Sequence, residues 1–170
     1  MMKRFLITVV VLMYVMLSVG CAGKSEKETI DTEIIAYLKM PVQEIIDRTN
    51  TNIDESGSLV VFQPDIFFPC IYMYPYVIIC KSADTTYTPR YISFYKDYED
   101  NYLKMLKLNS DMNFQEIMEV MGTVPIEESL ERGSGKRYMI SIIDGELEYN
   151  FCSTHQDGRI FDLYIALAGE

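Results

Sequence analysis

Several features are scarce or missing in this 170-residue sequence, and each shortage argues against a class of function. Basic residues are outnumbered: 15 Lys and Arg stand against 25 Asp and Glu, which gives a net charge of −10. Such a surface repels phosphate backbones, so we expect no nucleic-acid partner. The sequence has a single histidine, His155, and no Cys-x-x-C spacing. Because zinc sites are built from such residues, we expect no metal site, and nothing in the sequence indicates a cofactor.

A membrane-spanning run is also missing. The longest hydrophobic stretch, residues 5–17, follows Lys3 and Arg4 and would reach only about 20 Å as a helix. The hydrocarbon core of a bilayer is roughly 30 Å thick, so this stretch is too short to span it. A basic flank, a short apolar run and then small residues are typical of a signal peptide, which we predict to comprise residues 1–20.

The four residues Ser18, Val19, Gly20 and Cys21 resemble the lipobox of bacterial lipoproteins. The resemblance implies cleavage before Cys21 and attachment of lipid, such as palmitate, to its thiol and amine. Two or more acyl chains anchor a protein durably, whereas one does not. Membrane lipid is therefore an expected partner, and the expected location is the extracytoplasmic face of the cell membrane. The alternatives are an uncleaved signal anchor and an ordinary secretory signal in which Cys21 has no role.

Residues 21–29 are small and charged without apolar periodicity, which predicts a flexible tether between lipid and domain. Loss of residues 1–20 removes Lys3 and Arg4 and no acidic residue, so the net charge changes from −10 to −12. Anionic lipid repels such a domain, and we expect it to stand away from the membrane.

Three cysteines remain after Cys21, and their state is open. Cys70, Cys80 and Cys152 could form one disulfide and leave one thiol, or all could be buried and reduced. Cys70 and Cys80 could pair only if the chain folds back near Pro75, because one straight strand would place them about 33 Å apart.

A short pattern occurs twice, 72 residues apart, at residues 40–46 and 112–118. Met, Gln, Glu and Ile are identical in both copies, and each copy predicts the start of an amphipathic helix. In the second copy Asn113 and Glu116 form a capping pattern, and Gly122 ends the helix. Chance similarity between two amphipathic helices is the competing explanation. A short helix or strand is also expected around residues 34–38.

Each copy is followed by segments rich in β-branched and aromatic residues. The strands predicted in the second half are residues 137–143, 146–152 and 159–167, with turns at residues 144–145 and 157–158. Those predicted in the first half are residues 58–62, 71–80, 91–96 and 102–108, with a hairpin turn at residues 99–101. Pro75 makes its strand an edge, a bulge or a bend. This segregation of helices and strands predicts an α+β fold. We expect two related helix-plus-antiparallel-meander units, residues 30–109 and 110–170, in one compact domain.

A lipobox followed by two helix-plus-meander units resembles the β-lactamase-inhibitor-protein-like fold. Tandem-repeat secreted inhibitors and small lipoproteins of the outer-membrane assembly machinery share this fold. The resemblance covers residues 30–168 and implies a non-catalytic module that binds another protein through an exposed sheet face. The sequence has no tryptophan and no matched cysteine pair in each half, so no binding residue is carried over.

Tyrosines indicate where such a surface could lie. Eight of the 13 fall between Tyr72 and Tyr102, and Tyr72, Tyr74 and Tyr76 would share one face of an extended strand. Tyrosine gives a large contact area and keeps a polar tip, so we predict a binding surface for protein or glycan here. Alternatively, tyrosine simply favours strands, and half of the row packs in the core.

No catalytic residue is predicted, although two opposing hypotheses remain. An envelope hydrolase could use acidic residues of the C-terminal meander, namely Asp144, Glu146, Glu148, Asp157 and Asp162. A glycan or small-ligand binder could use the tyrosine-rich strands. Alternating acidic residues are more often solubilising charges, and His155 fits a turn better than a general base.

Overall fold

The computed structural model describes residues 24–59, 67–122, 126–132, 135–153 and 162–169. The predicted signal peptide (residues 1–20), Cys21, His155 and Asp157 lie outside these residues, so what was expected of them stays a prediction.

Four helices and eight strands are present in the described residues. The helices are α1 (Glu26–Lys39), α2 (Val42–Thr49), α3 (Lys96–Met105) and α4 (Phe114–Met121). The strands are β1 (Asp54–Leu59), β2 (Phe67–Met73), β3 (Tyr76–Cys80), β4 (Pro89–Phe94), β5 (Ile126–Arg132), β6 (Gly135–Asp144), β7 (Leu147–Ser153) and β8 (Asp162–Leu167).

All eight strands form one antiparallel sheet in the order β1-β2-β3-β4-β8-β7-β6-β5. Each half of the chain contributes two helices and then a four-stranded meander, and β4 pairs with β8 to join the meanders. The predicted α+β class is confirmed. That the two halves are related repeats stays a prediction.

The start of α1 differs from expectation. The Ser25 hydroxyl accepts a hydrogen bond from the Glu28 backbone N–H at 3.2 Å, and the Glu28 carboxylate accepts one from the Ser25 N–H at 3.1 Å. This capping box satisfies two otherwise unpaired donors, and Ile30 and Ile34 are buried on the sheet side of the helix. The predicted flexible tether, residues 21–29, is therefore wrong for residues 26–29, which are helical.

Both helices predicted from the repeated pattern are confirmed. In α2 the chain enters through Pro41 and leaves through Asn50, whose φ of 53° is left-handed. In α4 the Asn113 side chain accepts from the Glu116 N–H at 3.1 Å, and Gly122 ends the helix with φ 68°. A glycine adopts this conformation without the steric cost that a Cβ imposes.

The segment predicted as a turn at residues 99–101 and a strand at residues 102–108 is instead α3 and the chain that follows it. Tyr98, Tyr102 and Leu103 share one side of the helix, and Tyr102 and Leu103 are fully buried. The preference of tyrosine for strands reflects how well it packs on a half-buried surface. The packing of this helix on the sheet provides such a surface and overrides that preference.

Residues 71–80 form a hairpin rather than one strand. β2 ends at Met73, the Tyr74–Pro75 peptide bond is cis, and β3 begins at Tyr76. Of the three expected effects of Pro75, a bend is the one observed.

The helices pack on one face of the sheet, hereafter the inner face, where the main hydrophobic core lies. One cross-strand row of this core is Ile71, Ile78, Ile92, Ile165, Tyr149 and Ile142. Its members are at most 1% exposed, and burying each aliphatic side chain contributes roughly 1.5–3 kcal/mol. α1 crosses β4 and β8, so it covers the junction between the two meanders.

The three cysteines Cys70, Cys80 and Cys152 are all buried thiols, and no disulfide joins them in the described part of the chain. The chain does fold back at Pro75, as a Cys70–Cys80 bond would require. Burial raises the pKa of the Cys80 thiol to about 12, and the neighbouring Cys70 adds to the shift.

Candidate functional site

The three tyrosines predicted to share a surface are separated by the hairpin. Tyr72 lies on β2 and is 45% exposed, and Tyr74 lies in the turn and is 72% exposed. Tyr76 begins β3 and is 1% exposed, with its hydroxyl donating to the Glu33 carboxylate at 2.9 Å. The inclusion of Tyr76 in a binding surface is therefore wrong. The prediction assumed that side chains alternate along one continuous strand, and it failed because the chain reverses between Tyr74 and Tyr76.

Tyr72 belongs to the sheet face opposite the helices, hereafter the outer face. One cross-strand row crosses this face over six strands: Tyr72, Val77, Ser93, Tyr164, Asn150 and Ser141. Strand spacing makes this row about 24 Å long. Its polar members are ordered, since the Ser141 hydroxyl donates to the Asn150 side-chain oxygen at 2.6 Å. Next to the row, Tyr91 meets the Tyr164 ring edge-on at 5.0 Å between centroids.

Tyr74 belongs to a second feature, hereafter the tyrosine cluster, formed by Tyr74, Tyr95 and Tyr98. The Tyr74 ring stacks on Tyr95 at 6.0 Å between centroids and meets Tyr98 edge-on at 6.2 Å. The Tyr95 backbone N–H donates to the Pro75 carbonyl at 3.0 Å, which fixes the hairpin turn to the start of α3. The cluster thus joins the tip of one hairpin to a helix terminus.

Two carboxyl groups and a lysine meet at the same end of the sheet. Glu99 of α3 is 2% exposed, and Lys96 donates to its Oε1 at 3.3 Å. Burial raises the pKa of Glu99 to about 7, nearby Asp162 raises it further, and Lys96 opposes the shift. The pKa of Asp162 is also raised by burial, although its Oδ2 accepts a hydrogen bond from the Tyr164 hydroxyl at 2.7 Å. A carboxyl group that titrates near neutral pH could transfer a proton, but burial leaves Glu99 little access to a substrate.

A polar network ties α1 to both halves of the core. The Asp31 carboxylate accepts hydrogen bonds from Lys27, at 2.6 Å, and from the buried Tyr102 hydroxyl. The Tyr102 hydroxyl lies 3.2 Å from that of Tyr149, which lies 3.5 Å from Lys27 Nζ. Burial lowers the pKa of Lys27, but the hydrogen bonds and charge interactions with Asp31 and Tyr149 together outweigh that effect, and the pKa is raised. The network docks the first turns of α1, and its groups are satisfied without a ligand.

The acidic residues proposed for a hydrolase are dispersed. Asp144 lies 3.7 Å from Lys27, and Glu146 pairs with Lys39, so both interact with α1. Glu148 faces outward on β7, opposite Ile143. The structure places none of these beside Asp162, whose carboxyl neighbour is Glu99.

Sequence reasoning missed Tyr95, Tyr98 and Glu99. The signal was present: Tyr95, Tyr98 and Tyr102 recur at i, i+3 and i+7, a helical spacing that would have placed them on one side of α3.

Within the described residues, none of the helices is long and apolar enough to cross a membrane. The same residues contain no group of three or more His, Cys, Asp or Glu arranged to hold a metal ion. No known protein family, curated protein or solved structure matches this chain.

Proposed function

We propose that the protein is a non-catalytic binding module, anchored by acylated Cys21 at the extracytoplasmic face of the cell membrane, which binds a protein partner through the outer face. The observation that carries this proposal is the row from Tyr72 to Ser141, because it combines the exposed ring of Tyr72 with the partly exposed polar side chains of Ser93, Asn150 and Ser141. Tyr164, the other aromatic residue of the row, is 6% exposed and packs on Tyr91. Tyrosine, serine and asparagine are the residues that adaptable protein-binding surfaces use.

The dimensions of the sheet support a protein partner. Eight strands about 4.8 Å apart and about 17–20 Å long give a projected area on the order of 600 Å². A standard interface buries roughly 800 Å² on each partner. On the outer face Cys70, Ile79, Cys152 and Tyr164 are buried, so only part of this area is open to a partner, which is the size of a small interface.

The charge of the protein supports a basic partner surface. Without residues 1–20 the net charge is −12, and opposite charge accelerates encounter and excludes acidic competitors. The interaction should weaken as salt rises, because exposed charges are screened beyond about 8 Å at physiological ionic strength.

The anchor and the surface are tested separately. Mass spectrometry of the protein from its own membranes should find Cys21 as an acylated N-terminus, and Cys21→Ser should release the protein from the membrane fraction. An intact leader or a secreted, unacylated product would refute the anchor.

The surface is tested by photocrosslinking in those membranes. A benzophenone amino acid in place of Tyr72 should give a discrete protein adduct whose yield falls with salt. The control places the same group at Val120, which is 41% exposed on α4, on the helix side of the molecule. Equal adducts at both positions, or none at position 72, would contradict the use of the outer face.

A further inference from the structure

The aromatic side chains that remain open to a partner lie at one end of the sheet. The centre of the outer face is closed, since Ile79, Cys152 and Tyr164 are buried. Tyr72 is 45% exposed and precedes Tyr74 of the tyrosine cluster by two residues, or about 7 Å of extended chain. A partner that covers Tyr72 is therefore within reach of the tyrosine cluster.

The fold holds the rings of the tyrosine cluster in place. Tyr98 meets Tyr74 edge-on and also contacts Phe94, a core residue that is 5% exposed, with 5.7 Å between ring centroids. The hydrogen bond from the Tyr95 N–H to the Pro75 carbonyl ties the hairpin turn to the same helix start. Because the rings are already ordered, binding costs them little conformational entropy.

Tyr74 presents an open aromatic ring. It stacks on Tyr95 with 25° between the ring planes, yet Tyr74 is 72% exposed. Stacking therefore leaves the opposite side of the Tyr74 ring to solvent. The face of an aromatic ring attracts cations, and the flat guanidinium group of arginine stacks on it more readily than the strongly hydrated ammonium group of lysine does.

One carboxyl group lies beside the cluster on the neighbouring strand. In the β4–β8 register Ser93 lies opposite Tyr164, and two residues further along each strand Tyr95 lies opposite Asp162. The backbone of Tyr95 is still extended at this point, so the strand alignment holds there. Tyr95 is thus flanked by Tyr74 on one side and by a carboxyl group on the other.

The start of α3 adds a second carboxyl group. Asp97 is the second residue of the helix and is exposed. Lys96, the basic residue next to it, has its Nζ 3.3 Å from the Glu99 carboxylate, so its charge is compensated. These groups, like the net charge of the whole domain, attract a cation and repel an anion.

We propose that the tyrosine cluster receives an arginine side chain of the protein partner, whose guanidinium group stacks on the open side of Tyr74 near the carboxylates of Asp97 and Asp162. The inference rests on the proposed function and deepens it, because it names the chemistry of the partner and places its main contact at the hairpin end of the sheet. A neutral glycan would use the rings alone, and its binding would not weaken as salt rises.

Peptide probes test this chemistry on the purified full-length protein. One probe is an acetylated and amidated Gly-Arg-Gly tripeptide. The other replaces arginine by citrulline, which keeps the planar shape of the side chain but carries no charge. Binding is followed by NMR in protein labelled on its tyrosine rings, and the signals are assigned from the Tyr74→Phe and Tyr95→Phe variants.

We expect the arginine peptide to shift the Tyr74 and Tyr95 signals saturably and less strongly as salt rises, while the citrulline peptide leaves them unchanged. Tyr87 is the internal control, because it is 55% exposed and lies before β4, about 20 Å of strand away from the cluster. Equal shifts from both peptides, no shift from the arginine peptide, or a shift from methyl glucoside instead would overturn the inference.

The partner itself is tested through the photocrosslink at position 72. Tyr74→Leu removes the ring and should lower the adduct yield about fivefold or more, whereas Tyr74→Phe keeps the ring and should preserve the yield. Asp97→Lys should lower it as well. The matched controls are Tyr87→Leu and Asp111→Lys, which make the same changes at exposed residues away from the cluster and should leave the yield unchanged.

The outcomes separate the inference from the function on which it rests. An adduct of full yield in Tyr74→Leu and Asp97→Lys would overturn the inference and leave the proposed function standing. The lack of any adduct when the rest of the chain is unaltered would refute the proposed function, and the inference with it. Circular dichroism matching that of the unaltered protein establishes that each variant is folded.

Discussion

Glu99 gives the sharpest prediction, because its carboxyl group is buried and its pKa is raised. It is 2% exposed, and its pKa is about 7 in the folded protein against 4.5 without the fold. Burial is the main cause, repulsion from Asp162 adds to it, and Lys96 compensates only in part. We therefore predict that Glu99→Gln, which removes the charge and keeps the shape, stabilises the protein at neutral and higher pH.

The sign follows from proton binding. A carboxyl group whose pKa is raised by folding binds protons more tightly in the folded state, so stability falls as the pH rises from 4.5 to about 7. Below pH 4.5 both states are protonated, and this loss is absent. The advantage of Glu99→Gln should accordingly be small in acid, grow through this range and become constant above about pH 8.

The magnitude comes from the same two values. A shift from 4.5 to about 7, at about 1.4 kcal/mol per pH unit, corresponds to at most about 3.5 kcal/mol in the free energy of unfolding. Loss of the Lys96 ion pair in the variant reduces this gain, since glutamine accepts a weaker hydrogen bond.

Urea unfolding, followed by circular dichroism at a series of pH values, measures the difference. Glu55→Gln is the control, because Glu55 is exposed on β1 and its substitution should change stability by less than about 0.5 kcal/mol at every pH. A Glu99→Gln advantage that does not increase with pH, or a destabilised variant at about pH 8, would refute the reasoning.

Four further predictions concern hydrogen bonds and thiol access. Tyr102→Phe removes the hydrogen bond to Asp31 and should lower the free energy of unfolding by about 1–3 kcal/mol. Tyr91→Phe should be neutral or stabilising, because the buried Tyr91 hydroxyl has no partner among the described residues; a loss equal to that of Tyr102→Phe would contradict this. Asn113→Ala removes the cap of α4 and should cost about 1 kcal/mol by urea unfolding, and an unchanged midpoint would show that the cap is not needed. Cys80 should react with iodoacetamide only after denaturant is added, as judged by mass spectrometry, because burial raises its pKa to about 12; rapid labelling of native protein would oppose it.

The sequence was most informative where local chemistry decides the structure. Asn113, Glu116 and Gly122 specify the start and end of α4 through hydrogen bonds within a few residues, and both ends were predicted. A turn was likewise predicted at residues 144–145; it lies one residue later, at residues 145–146 between β6 and β7, and Gly145 has the positive φ of 64° that such a turn requires.

The predictions that failed concern features that depend on tertiary packing. Tyr102 is compatible with a strand or a helix, and what decides is the helix surface that it shares with Tyr98 and Leu103. Likewise, alternation could not place Tyr76, because the reversal at Pro75 moves it to the inner face. The tyrosine cluster forms only where the hairpin tip contacts the start of α3. These two segments are separated in sequence, so local patterns could not predict their contact.

The position of β8 has a consequence for the order of assembly. This last described strand lies at the centre of the sheet, between β4 and β7, so neither meander can join the other until residues 162–167 are in place. During synthesis the edge of β4 that pairs with β8 stays unpaired while about seventy further residues emerge. Pairing between strands so distant in sequence is slow to form. In a chain that lacks β8, the edges of β4 and β7 should therefore stay unpaired, and their backbone groups would be prone to pair with neighbouring molecules.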